Sequence, residues 1–210
     1  MYRSLLKEYV AFILNEHIND FTMNIESMLK QHGIVIGKPL GCGLHGYAFE
    51  IDDDKAIKVS IAKNFTIATE TVARLKTLQK VQSDAFAMIY DAGVLEHVHL
   101  NDERWVNKDG VAFYYVMERL FKLNKEDATL ARRLLNQLIA DPRQAKKTLF
   151  VAKRIFQRDG DDVSIVDRVE RLFTSIINDN VIHRDINAGA LMSNLAGDYK
   201  LIDLESARAL

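Results

Sequence analysis

The segment Gly41-Cys42-Gly43-Leu44-His45-Gly46 constrains the fold most, because a β-type run and not a helical one comes directly after it. A glycine-spaced turn that wraps a dinucleotide opens into a helix. Here it opens into Tyr47-Ala48-Phe49-Glu50-Ile51, then the acidic turn Asp52-Asp53-Asp54 and a second β-type run from Lys55 to Val59. Gly41, Gly43 and Gly46 are therefore expected in a hairpin, and a dinucleotide-binding fold is disfavoured.

The returning run carries Lys55-Ala56-Ile57-Lys58. Period-two alternation puts Ala56 and Lys58 on one face and Ile57 and Val59 on the other, so Lys58 can look into a cleft while Ile57 anchors the sheet. Further strands are expected at Ile34 to Ile36, Met88 to Leu95 and Phe113 to Met117, which makes five in all. Asp109-Gly110 reads as a turn between the last two. Ile67, Thr71, Arg74, Leu75 and Leu78 recur at helical spacing, and Glu70 is the only carboxylate in that stretch.

Before this sheet, Leu5, Leu6, Tyr9, Val10, Phe12, Ile13, Phe21, Ile25, Met28 and Leu29 recur at helical spacing between charges. They predict one or two amphipathic helices packed on the sheet, with no signal peptide and no span long enough for a bilayer. The chain has 210 residues, 48% of them hydrophobic, enough for one well-buried domain or two small lobes. Its net charge of −1 gives no general attraction to nucleic acid or anionic membrane, and the single cysteine, Cys42, suits a cytoplasmic setting, in the producing or an infected cell. Charge is uneven locally: residues 121–160 hold ten Lys or Arg against four Asp or Glu. This stretch, helical from Leu123 to Arg158 apart from a break at Asp141-Pro142, reads either as a solvated face or as a docking surface over 132–158 for an acidic protein or, less favoured, nucleic acid.

Near the C-terminus stands Val181-Ile182-His183-Arg184-Asp185-Ile186-Asn187, and eighteen residues after Asp185 comes Asp203, within Tyr199-Lys200-Leu201-Ile202-Asp203-Leu204-Glu205. With the glycine hairpin and Ala56-Ile57-Lys58, these motifs resemble the protein-kinase superfamily, particularly the minimal kinases of bacteriophages and of secreted bacterial effectors. The resemblance implies an α+β, two-lobed, protein-kinase-like fold. It divides the chain into a helical extension over 1–33, an N-lobe with a small five-stranded antiparallel sheet and glycine-rich loop over 34–120, and a reduced helical C-lobe with the catalytic loop over 121–210. Only seven residues follow Asp203, so the reduced lobe is expected to lack an activation segment and later helices.

The same resemblance implies roles. ATP phosphates would lie under Gly41, Gly43 and Gly46 and against Lys58, which Glu70 would hold by an ion pair. The backbones of Glu118 and Leu120 would face adenine, with Met117 as gatekeeper. Asp185 would orient the acceptor hydroxyl, and Asp203 would hold Mg²⁺. Ala190 occupies the position where the pattern has a metal-binding Asn, and a methyl group coordinates nothing. Three explanations stand: an inactivating substitution in an otherwise intact kinase, which the survival of the other motifs favours; a natural pseudokinase; or Asn187 as a substitute ligand. The activity implied is ATP-dependent transfer to Ser or Thr of protein substrates, host proteins among them. The rivals are a small-molecule phosphotransferase, which Leu204-Glu205 in place of Phe-Gly also resembles, and a non-catalytic partner-binding pseudokinase.

Overall fold

The glycine turn forms the tip of a hairpin between β1 (Pro39–Gly43) and β2 (Gly46–Glu50), with Gly43 opposite Gly46. The computed structural model describes residues 25–43, 46–81, 83–100, 108–179, 181–183, 190–202, 204 and 207–209. The acidic turn then leads to β3 (Lys55–Ala62): the Asp54 N–H donates to Asp52 Oδ1 at 2.9 Å and the Ile51 N–H to the Lys55 carbonyl at 3.0 Å. An Asp side chain that accepts from the backbone two residues on stabilises such a turn locally. With β4 (Ile89–Leu100) and β5 (Lys108–Glu118) these strands complete an antiparallel sheet of order β1-β2-β3-β5-β4.

Two of the expected boundaries are corrected. Ile34 to Ile36 is not a strand, and the edge strand is Pro39–Gly43. Ile36 is buried while Val35 is 70% exposed, so this apolar run packs against the sheet instead of joining its ladder. Proline is tolerated where the strand begins at a sheet edge, because no ladder N–H is needed there. Asp109 and Gly110 are not a turn either, since they pair within β5 to His99 and Val98. Gly110 is there for close approach: a Cβ would lie 2.5 Å from Ile61 Cγ2 and 2.9 Å from the Ala62 carbonyl oxygen.

The two faces of the sheet carry separate cores. Ile57 and Val59 pack with Ala112, Tyr114 and Val116 beneath Ile25 and Leu29 of α1, the helix over residues 25–31. Ala56 and Ala62 face the other way, with Phe113, Tyr115 and Met117, toward α2 (Phe65–Val81). Asn64 caps α2, its Oδ1 accepting from the Ile67 N–H at 2.9 Å, and Ala68, Val72, Leu75 and Leu78 are buried at the expected helical spacing.

The second lobe begins with β6 (Phe121–Lys122) and continues through α3 (Lys125–Ala140), α4 (Ala145–Asp159) and α5 (Ser164–Asn178). Asn124 caps α3 by accepting from the Asp127 N–H at 2.8 Å. Pro142 stops helical continuation and opens a single 3₁₀ turn before α4, and Gly160 closes α4 in the left-handed conformation, φ 76°. Short strands complete the lobe: β7 (Val181–His183), β8 (Leu191–Ser193), β9 (Tyr199–Leu201) and β10 (Ala207–Ala209). They form a β6-β8-β9 sheet and a β7-β10 pair.

One apolar core joins the lobes. Leu75 and Tyr115 of the first lobe and Leu135, Leu172, Leu201 and Leu204 of the second belong to the same buried cluster. The segment between α2 and β4 crosses to β9, where the Leu201 N–H donates to the Ala85 carbonyl at 2.8 Å and the Ala87 N–H to the Leu201 carbonyl at 3.2 Å. Among the described residues no helix is long and apolar enough to cross a membrane.

Candidate functional site

Lys58 stands in the middle of β3, paired in register with Ala48 of β2 and Tyr115 of β5. It is half-buried on the face that looks toward the second lobe, and its Nζ lies 5.9 Å from the centroid of the fully buried Tyr115 ring. That distance suits a cation–π contact, which fixes the amine without neutralising it. The small Ala48 beside it leaves the hairpin side of the strand open.

The glycine hairpin adjoins Lys58's strand through β2. Gly46 has φ +155°, and a Cβ there would lie 2.0 Å from the Val59 carbonyl oxygen and 2.9 Å from Ser60 Cα, so no other residue fits without moving the hairpin. Gly41 has room; a Cβ there would come no nearer than 4.0 Å to Lys122 Nζ. Lys122, a cation that no sequence motif singles out, thus flanks the hairpin from β6.

At the lobe junction the two expected adenine-facing backbones differ. The Glu118 N–H donates to the Met88 carbonyl at 2.8 Å, so Glu118 has only its carbonyl to offer. The Leu120 N–H makes no hydrogen bond among the described residues. Arg119 between them is held outward, its N–H on the Asp54 carbonyl at 2.7 Å and its guanidinium on Glu50 Oε1 at 3.2 Å. Glu118 turns its carboxylate back, accepting from the Met88 N–H at 3.3 Å and approaching Lys200 Nζ at 3.9 Å. Burial first, then the Glu118, Asp54 and Asp52 carboxylates, push the Tyr90 hydroxyl above its ordinary value on the outer side of this junction.

Glu70 is not brought to Lys58. It lies on the exposed face of α2, next to buried Thr71, and no ion pair among the described residues joins it to Lys58. The helical periodicity fixes which residues enter the core, and Glu70 falls outside that stripe.

Asp185, Asn187 and Asp203 lie outside the described residues, but the chain on either side of each motif is placed. Strand β7 pairs with β10, His183 opposite Ala207. The β8–β9 hairpin returns the chain so that the Ile202 N–H donates to the Ala190 carbonyl at 2.8 Å. Residue 183, two before Asp185, is thus held beside residue 207, four after Asp203. Residue 190, five after Asp185, is held beside residue 202, one before Asp203. Ala190 is fully buried, so its methyl group stands in packed surroundings with no oxygen to offer a cation.

The sequence matches no family model, and no curated protein matches it. Among solved structures, the ROP18 kinase domain in complex with AMP-PNP and sucrose superposes with a TM-score of 0.52 at 13% identity, over 94% of this chain and 65% of that one. The fold is kinase-like. A Stt7 homolog from Micromonas algae soaked with ATP is similar at a TM-score of 0.44 and 18% identity, over 82% of this chain and 49% of that one. WbdD with the kinase inhibitor LY294002 gives 0.44 and 12%, over 82% and 33%. The chain thus spans less than two thirds of the length of each of these kinase-like structures.

Proposed function

We propose that this chain is an ATP-dependent phosphotransferase of the protein-kinase type, acting on Ser or Thr hydroxyls of proteins, and impaired by Ala190. The observation that carries the reading is the double pinning of the two motif segments, 183 to 207 and 190 to 202, in the lobe that Lys58 faces. It draws together the described ends of two motif segments whose aspartates stand eighteen residues apart in the sequence.

The described residues fit a nucleotide. The open Leu120 N–H can donate to an adenine ring nitrogen, and the half-buried Lys58 amine, on the face toward the second lobe, can meet phosphate oxygens. Asp203 would hold Mg²⁺, and the ion, when bound, neutralises charge on the β and γ oxygens. Asp185 accepts the acceptor hydroxyl's hydrogen bond and orients it toward the γ-phosphate. Residue 190 is where the second protein oxygen is missing.

Acceptor class is tested with γ-labelled ATP and the Ala190→Asn protein, offered a host-cell lysate and, separately, a sugar and metabolite mixture. Label recovered as phosphoserine or phosphothreonine is the expected result. Label only in the small-molecule fraction would overturn the protein-acceptor reading and leave the phosphotransferase reading standing.

A further inference from the structure

The cations of the second lobe fall into two sets. Lys153 is held by Asp167 at 2.8 Å and Glu170 at 3.1 Å, and Arg158 by Asp159 at 2.7 Å. Arg132, Arg133, Arg143, Lys146 and Lys147 form no ion pair among the described residues. The local positive surplus is therefore concentrated, without internal neutralisation, on α3, the turn after it and the first turn of α4.

A groove of about 680 Å³ opens between α3 and α4 beside these cations. Its lining includes Leu134, Val151, Ile155 and Phe156, the cations Arg133 of α3 and Lys147 of the first turn of α4, and Asp159 and Asp161 at and beyond the end of α4. The apolar stripe of α4 is wider than the core covers: Leu149, Ala152 and Phe156 are buried, whereas Val151 and Ile155 remain 45% and 42% exposed. An amphipathic surface helix normally buries such a stripe.

We propose that this groove docks an acidic segment of a partner protein, with apolar side chains seated over Val151 and Ile155 and carboxylates meeting Arg133 and Lys147. Unpaired cations beside an apolar floor complement a segment that alternates acidic and aliphatic residues, and they steer its approach. The groove's volume lies in the range that takes a few side chains. Nucleic acid fits less well, because the aliphatic floor offers no stacking platform for bases.

The test is fluorescence anisotropy of the full chain with a labelled peptide of leucine at helical spacing and glutamate between, its lysine-for-glutamate counterpart, and single-stranded DNA. The glutamate peptide binds in about the micromolar range, more weakly as salt rises, and the lysine peptide does not. Arg133→Glu with Lys147→Glu weakens binding about tenfold or more, Ile155→Ser weakens it several-fold, and Lys30→Glu on α1 leaves it unchanged. The proposal is overturned by absence of glutamate-peptide binding, by binding that Ile155→Ser does not alter, or by DNA binding tighter than peptide binding. No phosphoryl transfer enters the readout, so this test and the activity proposed above fail independently.

Discussion

Gly46, Lys58 and Ala190 each meet a different physical demand, and each can be changed alone. Gly46→Ala must relieve a 2.0 Å approach to the Val59 carbonyl, which we expect to cost about 3 kcal/mol, read by urea unfolding. In the Ala190→Asn background, Lys58→Met should lower transfer about a hundredfold with the melting temperature little changed, whereas Glu70→Gln, on the exposed face of α2, should leave it within about threefold. Both are read by initial rates at saturating ATP. Tyr114 supplies a pH signature unconnected with catalysis. Burial, and a hydrogen bond to Asp91 Oδ2 at 3.0 Å, push its hydroxyl up to about 12 from an ordinary 10.0. The folded protein thus holds this proton more tightly than the unfolded chain, so the contribution is intact below pH 10 and is lost as pH rises from about 10 to about 12. Tyr114→Phe should flatten that part of the stability curve, measured by unfolding at stepped pH.

Among the elements, α1 bears directly on what the sheet needs to be stable. Leu29 is fully buried with Ile25 against the face of the sheet that points away from Lys58. Leu29→Ala should cost about 2–5 kcal/mol in chemical unfolding, because a cavity under Ile57 and Val59 has no side chain able to fill it. The amphipathic spacing of Ile25, Met28 and Leu29 was readable, as were α2, the glycine hairpin and the Pro142 break, because each rests on local chemistry. Strands β2 to β5 were readable from their apolar runs, whereas β1 and β7 to β10, which depend on pairing, were not. The edge strand contains Pro39, Gly41 and Gly43, poor strand formers aligned by the hairpin, while the more β-like Ile34 to Ile36 run lies flat against the core. Strands β7 to β10 have three residues each, too short for any alternation to register.

For the molecule as a whole, the shared core and the backbone bonds of Ala85, Ala87 and Leu201 join the glycine hairpin and Lys58 to the lobe that carries both motif segments. At the candidate site, local sequence put Lys58 in mid-strand and the glycines in a hairpin, as the structure has them, while Asp185 and Asp203 lie outside the described residues. The site was not legible where position depends on packing: the sequence named the Leu120 backbone and pointed to Glu70, but missed the Tyr115 ring beneath Lys58 and Lys122 beside Gly41. We propose that one oxygen at residue 190 separates this chain from a working phosphotransferase. Transfer from γ-labelled ATP in Mg²⁺ should therefore be compared among this chain, Ala190→Asn and Ala190→Asn with Asp185→Ala, with circular dichroism verifying that all three are folded. Label incorporation by Ala190→Asn alone is the predicted result. Equal failure of a folded Ala190→Asn protein and its Asp185→Ala control would contradict the account.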